Sequence, residues 1–563
     1  GRNNLEISMV GCRAFANIVM GNLLFLSIGL AQGSFPDLPA ALDAISGAEI
    51  RRYIEYLGSD ELAGRATGSP GERAAAEYIA SHLQHLGLAF PEKLESYFQR
   101  VPMHGSIPLA ESRLRLFLAD KVRDFELGED YLLFKSGAQT YVPQPVPLVF
   151  AGYGIVAPEF DYNDYQNLAV EGKIVVYFSG EPRSNDPQYF AGGAETIYAS
   201  PEAKARLAIS RGSLGSILIP LPEAAEAGFW QSRRREFAFE EITLAYAASS
   251  HLNVMLNPAA APALFQGAPF SFSAVLEMAA AQKLVSFPLA ASLSFKGEFI
   301  QRDFTASNVI GVLPGSDPKL SDSYLIMSAH YDHLGVGEKV KGDSIYNGVF
   351  DNAAGAAALL EIARAFSELP TAPPRTIIFL FLTGEEKGLL GSRYYLDNPV
   401  QPLYKTIANV NIDGLAMFDT FNDIVGIGAE LSTLGDDLRE AASINGLAVS
   451  PLPAEFTWQA SFARSDQIAF AQAGIPSLLT LEGLDYRHSD RDSALARVLH
   501  WNRTIYHTPF DDLQQSIDEK AMAQHARLIF TLCRLLADRG KSPEWHPGAP
   551  YLYERLQSIA EKK

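Results

Sequence analysis

Two consecutive acids, Glu385 and Glu386, end the apolar run 376-TIIFLFLTGEEKGLLGS-392, where two like charges have no obvious partner. In an extended strand neighbouring side chains point to opposite faces, so the pair can serve one pocket only if the backbone bends there. Gly384 permits that bend. One carboxylate can then bind a metal while the other stays off it and handles a proton. Metal-assisted hydrolysis needs this division, because the ion acidifies water and a free carboxylate accepts its proton.

Other residues of the same kind stand where further apolar runs stop. The run 324-YLIMSAH-330 leads into 330-HYDH-333, the segment 350-FDNAAG-355 opens a helix, 407-IANVNID-413 ends in Asp413, and 506-YHTPFDD-512 supplies His507 in a Pro-containing turn. Mixed imidazole and carboxylate donors suit zinc best, with manganese or cobalt as substitutes. The charge count favours more than one ion: Asp351, Glu386 and Asp413 bring three negative charges into a poorly hydrated site, and unpaired buried charges are very costly. Two divalent cations with a bridging hydroxide balance them. His330 and Asp332 share a face if the strand continues, so Asp332 can orient the ligand histidine, while His333 points away and reads as a loop residue.

The elements that must position these groups alternate. Strand-like runs at 307–315, 324–330, 376–384, 407–413 and 475–481 are separated by helical stretches, notably 352–369 and 432–447. This predicts an α/β fold, a mostly parallel mixed sheet with helices on both faces. Functional groups then collect at the carboxyl ends of the strands. Upstream, Ser69 through Gly87 reads as a capped helix, with Ser69 at its start and Glu72 completing a capping box. Within it, His82 and His85 read as half-exposed helix residues. Between about 130 and 290 short β-type runs punctuated by Pro, Gly and Asn point to a separate strand-rich module without a ligand-like cluster.

With 563 residues the chain is too long for one compact core. Its net charge of −19 argues against nucleic acid as a partner, which requires a basic face. Only Cys12 and Cys533 occur; the first lies in the leader and the second in a helical apolar pattern, so a mature chain has no internal disulfide. The segment 9-MVGCRAFANIVMGNLLFLSIGLAQG-33 has the layout of a secretory leader. It predicts export to a periplasmic or extracellular location, with no membrane span once the leader is cleaved and a tether if it is not.

At the residues quoted above the sequence strongly resembles peptidase family M28, the zinc peptidases with two co-catalytic metals. The matching pieces are 328-SAHYDHLG-335, 350-FDNAAG-355, 383-TGEEKGLLGS-392, 411-NIDG-414, 464-RSDQIAF-470 and 506-YHTPFDD-512, in the family's order. The resemblance implies a zinc-peptidase, phosphorylase/hydrolase-like catalytic domain at 300–545, whose N-terminal part is 40–125, followed by a tail at 546–563. The module at 130–290 looks like an inserted protease-associated domain. An exported aminopeptidase acting on peptide N-termini is implied, with two Zn2+ ions. Asp351 would bridge them, with His330 and Asp413 on one and Glu386 and His507 on the other. Glu385 would be the general base for a metal-bound hydroxide, Asp332 would support His330, and Arg464 falls where relatives contact substrate.

Carboxypeptidases and single-zinc glutaminyl cyclases share this scaffold, and related ectodomains without metals act as receptors; the complete ligand set here tilts against the last two. Phe418, Trp458, Phe462, Tyr486 and Trp501 are aromatic candidates for the pocket, each reading individually as core before wall.

Overall fold

The protein is represented by a computed structural model that describes residues 35–134, 140–190, 192, 195–221, 228–247, 249–456 and 461–562. The leader read at 9–33 and Trp458 lie outside these residues. Nine strands form the central sheet: β1 (Phe98–Pro108), β2 (Glu241–Leu244), β3 (Phe299–Leu313), β4 (Tyr324–His330), β5 (Thr376–Leu382), β6 (Thr406–Asn411), β7 (Asp423–Ile427), β8 (Ala448–Val449) and β9 (Ser477–Glu482). Their order is β2-β1-β3-β5-β4-β6-β9-β7-β8. The middle four, β5, β4, β6 and β9, are mutually parallel, while β2, β1 and β3 on one side and β7 on the other join antiparallel.

The saturated apolar runs are explained by burial on both faces. Along β4, Leu325, Met327 and Ala329 enter one core while Tyr324 and Ile326 enter another; along β5, Ile377, Phe379 and Phe381 part in the same way from Ile378, Leu380 and Leu382. The two-residue side-chain period sends each apolar set to its own layer. The larger layer is covered by helices α1 (Gly47–Leu57), α2 (Pro70–His85), α3 (Ala354–Ser367), α4 (Leu434–Ile444) and α5 (Glu519–Asp538). Cys533 is fully buried on α5.

Helix α2 starts as its sequence predicts: Ser69 accepts from the Glu72 N–H, and Pro70 takes the first position. The Glu72 carboxylate departs from the capping-box expectation. One oxygen accepts from Gly68 N–H at 2.6 Å and the other from the Thr383 hydroxyl, so this acid staples the helix start to the end of β5. Burial, reinforced by nearby Asp332, pushes it up to about 8.

A second sheet of eight strands lies within residues 113–296. It begins with Arg113–Phe117, takes Phe287–Lys296 as its last strand in the chain, and packs cores on both faces. Between those limits, among the described residues, the chain returns once to the central sheet: β2 pairs with β1 and forms its outer edge.

Candidate functional site

Four connections at the carboxyl ends of the parallel strands converge on one pocket. His330 closes β4 with its ring buried, and its Nε2 lies 3.3 Å from Asp351 Oδ1 and 3.4 Å from Asp413 Oδ1. Across Asp351, His507 Nε2 lies 3.3 Å from Asp351 Oδ2 and 3.1 Å from Glu386 Oε2. Asp351 thus turns one oxygen toward each histidine, the layout of a bridging ligand. Among the described residues neither Nε2 makes an aligned hydrogen bond, although both atoms are buried.

These distances test whether a metal fits. Tetrahedral zinc with bonds of about 2.0–2.1 Å sets neighbouring ligand atoms about 3.3 Å apart. The four separations above bracket that value, as ligand atoms aimed at shared central points would. Hydrogen-bonded N–H···O pairs centre at about 2.9–3.0 Å instead, and neither Nε2 is aligned for such a bond among the described residues.

Local backbone geometry explains the convergence. Gly384 adopts φ 65°, ψ 25°, a left-handed turn that ends the strand and starts the short turn Glu385–Lys387. The Asp332 carboxylate accepts from Glu385 N–H at 3.1 Å, from Glu386 N–H at 3.4 Å and from the Thr67 hydroxyl at 3.0 Å. Asp332 therefore caps the turn that carries both glutamates. Its link to His330 Nδ1 runs through its main-chain oxygen at 3.2 Å, with the carboxylate at 3.5 Å.

The loop bearing Asp351 is held by two residues that sequence reasoning did not single out. Asp511 accepts from Phe350 N–H at 2.8 Å and Asp351 N–H at 3.0 Å. Asn352 donates to His330 O and Ile412 O and accepts from Gly355 and Gly414 N–H, joining the ends of β4 and β6 to the start of α3 with one amide. Arg65 was missed as well. Its buried guanidinium donates to Tyr331 O, Asn347 O, Gly348 O and Leu57 O. Asp511 and Asp466 did sit inside the quoted motifs; Arg65 acts on backbone carbonyls and Thr67 on the Asp332 carboxylate, contacts between distant segments that no periodicity reveals.

His333 corrects the sequence reading. Beyond His330 the chain leaves the strand, so alternation no longer applies. The ring is fully buried, with Nδ1 2.7 Å from Glu386 Oε1. Asp466 is also buried beside the cluster: Oδ1 accepts from Ser392 Oγ at 2.6 Å, while Oδ2 has no partner among the described residues. Burial first, then neighbouring acids, push it up to about 7. Arg464 is exposed, and its described contact is the backbone N–H to Ser461 O.

Electrostatics divide the two glutamates. Burial raises Glu385 well above the usual carboxylate range, and Glu386, Asp413 and Asp466 add to it against the pull of His330. Burial and Asp351 act in the same direction on Glu386, yet His507 and His333 outweigh them and hold it at about 2. Asp351 is likewise well below the ordinary range, because contacts with His330 and His507 exceed its burial penalty. Both ring partners are raised despite burial, by Glu385 and Asp413 for His330 and by Glu386 and Asp351 for His507. A pocket that forces protons onto buried imidazoles is one with a strong demand for positive charge.

Aromatic rings flank the His507 side. Trp501, on the helix Arg491–Thr504, meets Phe350 edge-on at 4.8 Å, and Tyr506 stacks on His507 at 3.8 Å. Phe418 lies under Arg497, whereas Phe462 and Tyr486 are core residues.

Comparison with known proteins gives a consistent picture. Residues 308–533 match the model of peptidase family M28. Over 243 residues the chain is 28% identical to leupeptin-inactivating enzyme 1 of Streptomyces exfoliatus, covering 41% of this chain and 48% of that protein. Over 247 residues it is 25% identical to aminopeptidase YwaD of Bacillus subtilis, covering 43% and 47%. The chain thus spans about half the length of these curated relatives. In fold it resembles the aminopeptidase from Aneurinibacillus sp. strain AM-1, with a TM-score of 0.52 and 20% identity over 90% of this chain and 97% of that one.

Proposed function

We propose, from the match of residues 308–533 to the model of peptidase family M28, that this protein is a zinc aminopeptidase that removes N-terminal residues from peptides. The observation that carries the reading is the pocket itself: two histidines and three carboxylates at ligand spacing around Asp351, beside a glutamate of opposite electrostatic character. His330 and Asp413 would hold one Zn2+, Glu386 and His507 the other, with Asp351 shared. The relatives' names support the aminopeptidase class.

Bound zinc would supply Lewis acidity toward water and the scissile carbonyl. Glu385 would take the proton from the attacking water and return it to the leaving amine; its raised affinity for protons suits it better than an ordinary carboxylate. Asp332 keeps Glu385 pointed inward by holding its backbone N–H. Phe350, Trp501 and Tyr506 offer an apolar wall for a substrate side chain. The leader-like stretch at 9–33 supports export, and no helix among the described residues is long and apolar enough to cross a membrane.

The test is mass spectrometry of a peptide mixture with free and N-acetylated termini, incubated with zinc-loaded protein and with Glu385→Gln as control. Stepwise loss from free N-termini alone is expected. Trimming of acetylated peptides from the other end would replace the reading by a carboxypeptidase, ammonia loss from N-terminal glutamine by a cyclase, and no change by a binding protein.

A further inference from the structure

We propose that His333 is a positioning residue of the metal centre: its Nδ1–H holds Glu386 Oε1, leaving Oε2 as the single oxygen that Glu386 presents beside His507. This deepens the proposed function and rests on its assignment of Glu386 as a ligand.

The distances separate His333 from the ligands. His330 and His507 stand 3.1–3.4 Å from their carboxylate neighbours, the spacing of atoms that share a metal. His333 Nδ1 and Glu386 Oε1 approach to 2.7 Å, too close for two ligands of one tetrahedral zinc and right for a charge-assisted hydrogen bond. His333, Asp351 and Glu386 do bring donor atoms near one another, but this short edge marks His333 as Glu386's partner. Among the described residues neither Nδ1 nor Oε1 makes an aligned hydrogen bond, with the other or elsewhere, so each is a buried polar atom whose close polar contact is the other.

The ring's place is set by backbone on two sides. His333 N–H donates to Arg65 O at 3.1 Å. Gly348 approaches so closely that a Cβ there would stand 2.4 Å from the ring. Arg65 thus supplies one wall with its main-chain carbonyl and holds the other, at Gly348 O, with its guanidinium. A buried imidazole fixed in this way, with its nitrogen at a ligand's free oxygen, does what ligand-orienting groups do at metal sites: it selects one carboxylate geometry, and losing such a group costs about 10–100-fold in metal affinity.

The test is zinc titration of metal-free protein against a chromophoric chelator, for wild type, His333→Asn, His333→Leu and His507→Ala, with circular dichroism and melting of each metal-free form. An asparagine amide can reach the place of the imidazole Nδ1–H; leucine fills similar space without a donor. His333→Leu should bind one ion as wild type and the other about 10–100-fold more weakly, the same ion that His507→Ala loses, and His333→Asn should recover most of that affinity. If His333→Leu does not fold, His333→Gln replaces it, since its amide reaches the Nε2 position and should weaken binding in the same way. Wild-type affinity in the leucine or glutamine variant would reduce His333 to packing. A folded asparagine variant as weak as the leucine one would make the imidazole itself a ligand; either result overturns the proposal. A wild-type chain that takes up one ion only would count against the two-ion reading, and the contrast between asparagine and leucine on that ion would still decide the role of His333.

Discussion

Glu385 and Glu386 are neighbours in the chain and stand at opposite ends of the carboxylate range, one raised and one held at about 2. Such a split suits the first to proton transfer and the second to charge, as the proposed function requires. Glu385→Gln should therefore keep both zinc ions and lose on the order of a hundred- to ten-thousand-fold in kcat, whereas His507→Ala should drop the zinc content from two ions to one. Metal analysis beside steady-state kinetics checks both, and near-normal turnover of Glu385→Gln would remove it as the base. A second titrating residue lies away from the site. His525 is fully buried on α5, its Nδ1 accepting from Ala416 N–H at 3.1 Å and its Nε2 3.0 Å from the Thr480 hydroxyl. Burial lowers it from 6.5 to about 4. The folded protein refuses a proton that the unfolded chain takes up, so this contribution is complete above pH 6.5 and falls away as pH drops toward 4, by about 3 kcal/mol in all. His525→Gln, which keeps an acceptor without titrating, should show a flatter stability profile across that window in urea unfolding; parallel profiles would rule the effect out.

At the scale of elements, the candidate site residues hang from strand ends that were legible as apolar runs, because burial on both faces leaves a saturated hydrophobic signature. The ligand-type residues were legible too, since the runs at 324–330, 376–384 and 407–413 stop at a histidine or carboxylate. What holds them was not. Asp332 grips backbone amides of Glu385 and Glu386, Asp511 those of Phe350 and Asp351, and Arg65 four carbonyls from three segments. Contacts to distant backbone carry no residue-type pattern, and His333 was misplaced for the related reason that strand alternation was continued past the strand's end. The segment from Arg65 to Glu72 is consequently part of the site, although it lies far from every ligand in sequence. Arg65→Lys tests this. A single ammonium cannot span four carbonyls set around a planar fork, and a buried carbonyl left without a donor costs about 1–3 kcal/mol. The variant should melt several degrees lower and bind zinc more weakly, while retaining its charge. Unchanged melting and zinc affinity would show that charge alone matters at this position.

For the whole molecule, the chain enters and leaves the eight-stranded module at one end of the β1–β3 ladder. β1 and β3 form an antiparallel ladder running from the Phe98–Val309 pair to the Pro108–Phe299 pair, and the module is inserted where that ladder ends. Pro108 and Phe299 face each other, so a two-residue Asn-Gly turn could close the hairpin directly in place of residues 109–298. The module also returns β2 to the sheet. Ile242 and Leu244 on β2 pack against Val101, Met103, Ala306 and Leu390, and Phe239 just before it meets Tyr346 edge-on at 5.0 Å and lies beneath Lys387, the residue after Glu386. The shortened chain should fold, because its central layers are intact, and should retain zinc. It should also self-associate, since β1 becomes a long edge strand with unpaired amides and newly exposed Val101 and Met103. Sedimentation velocity on zinc-loaded protein would show this as concentration-dependent growth in mass. Adding Lys at Met103 should suppress it by placing a charge on the exposed edge. A shortened chain that stays monomeric without that lysine would show that β2 is dispensable as an edge cover; one that neither folds nor binds zinc would show that the module supports the catalytic layers themselves.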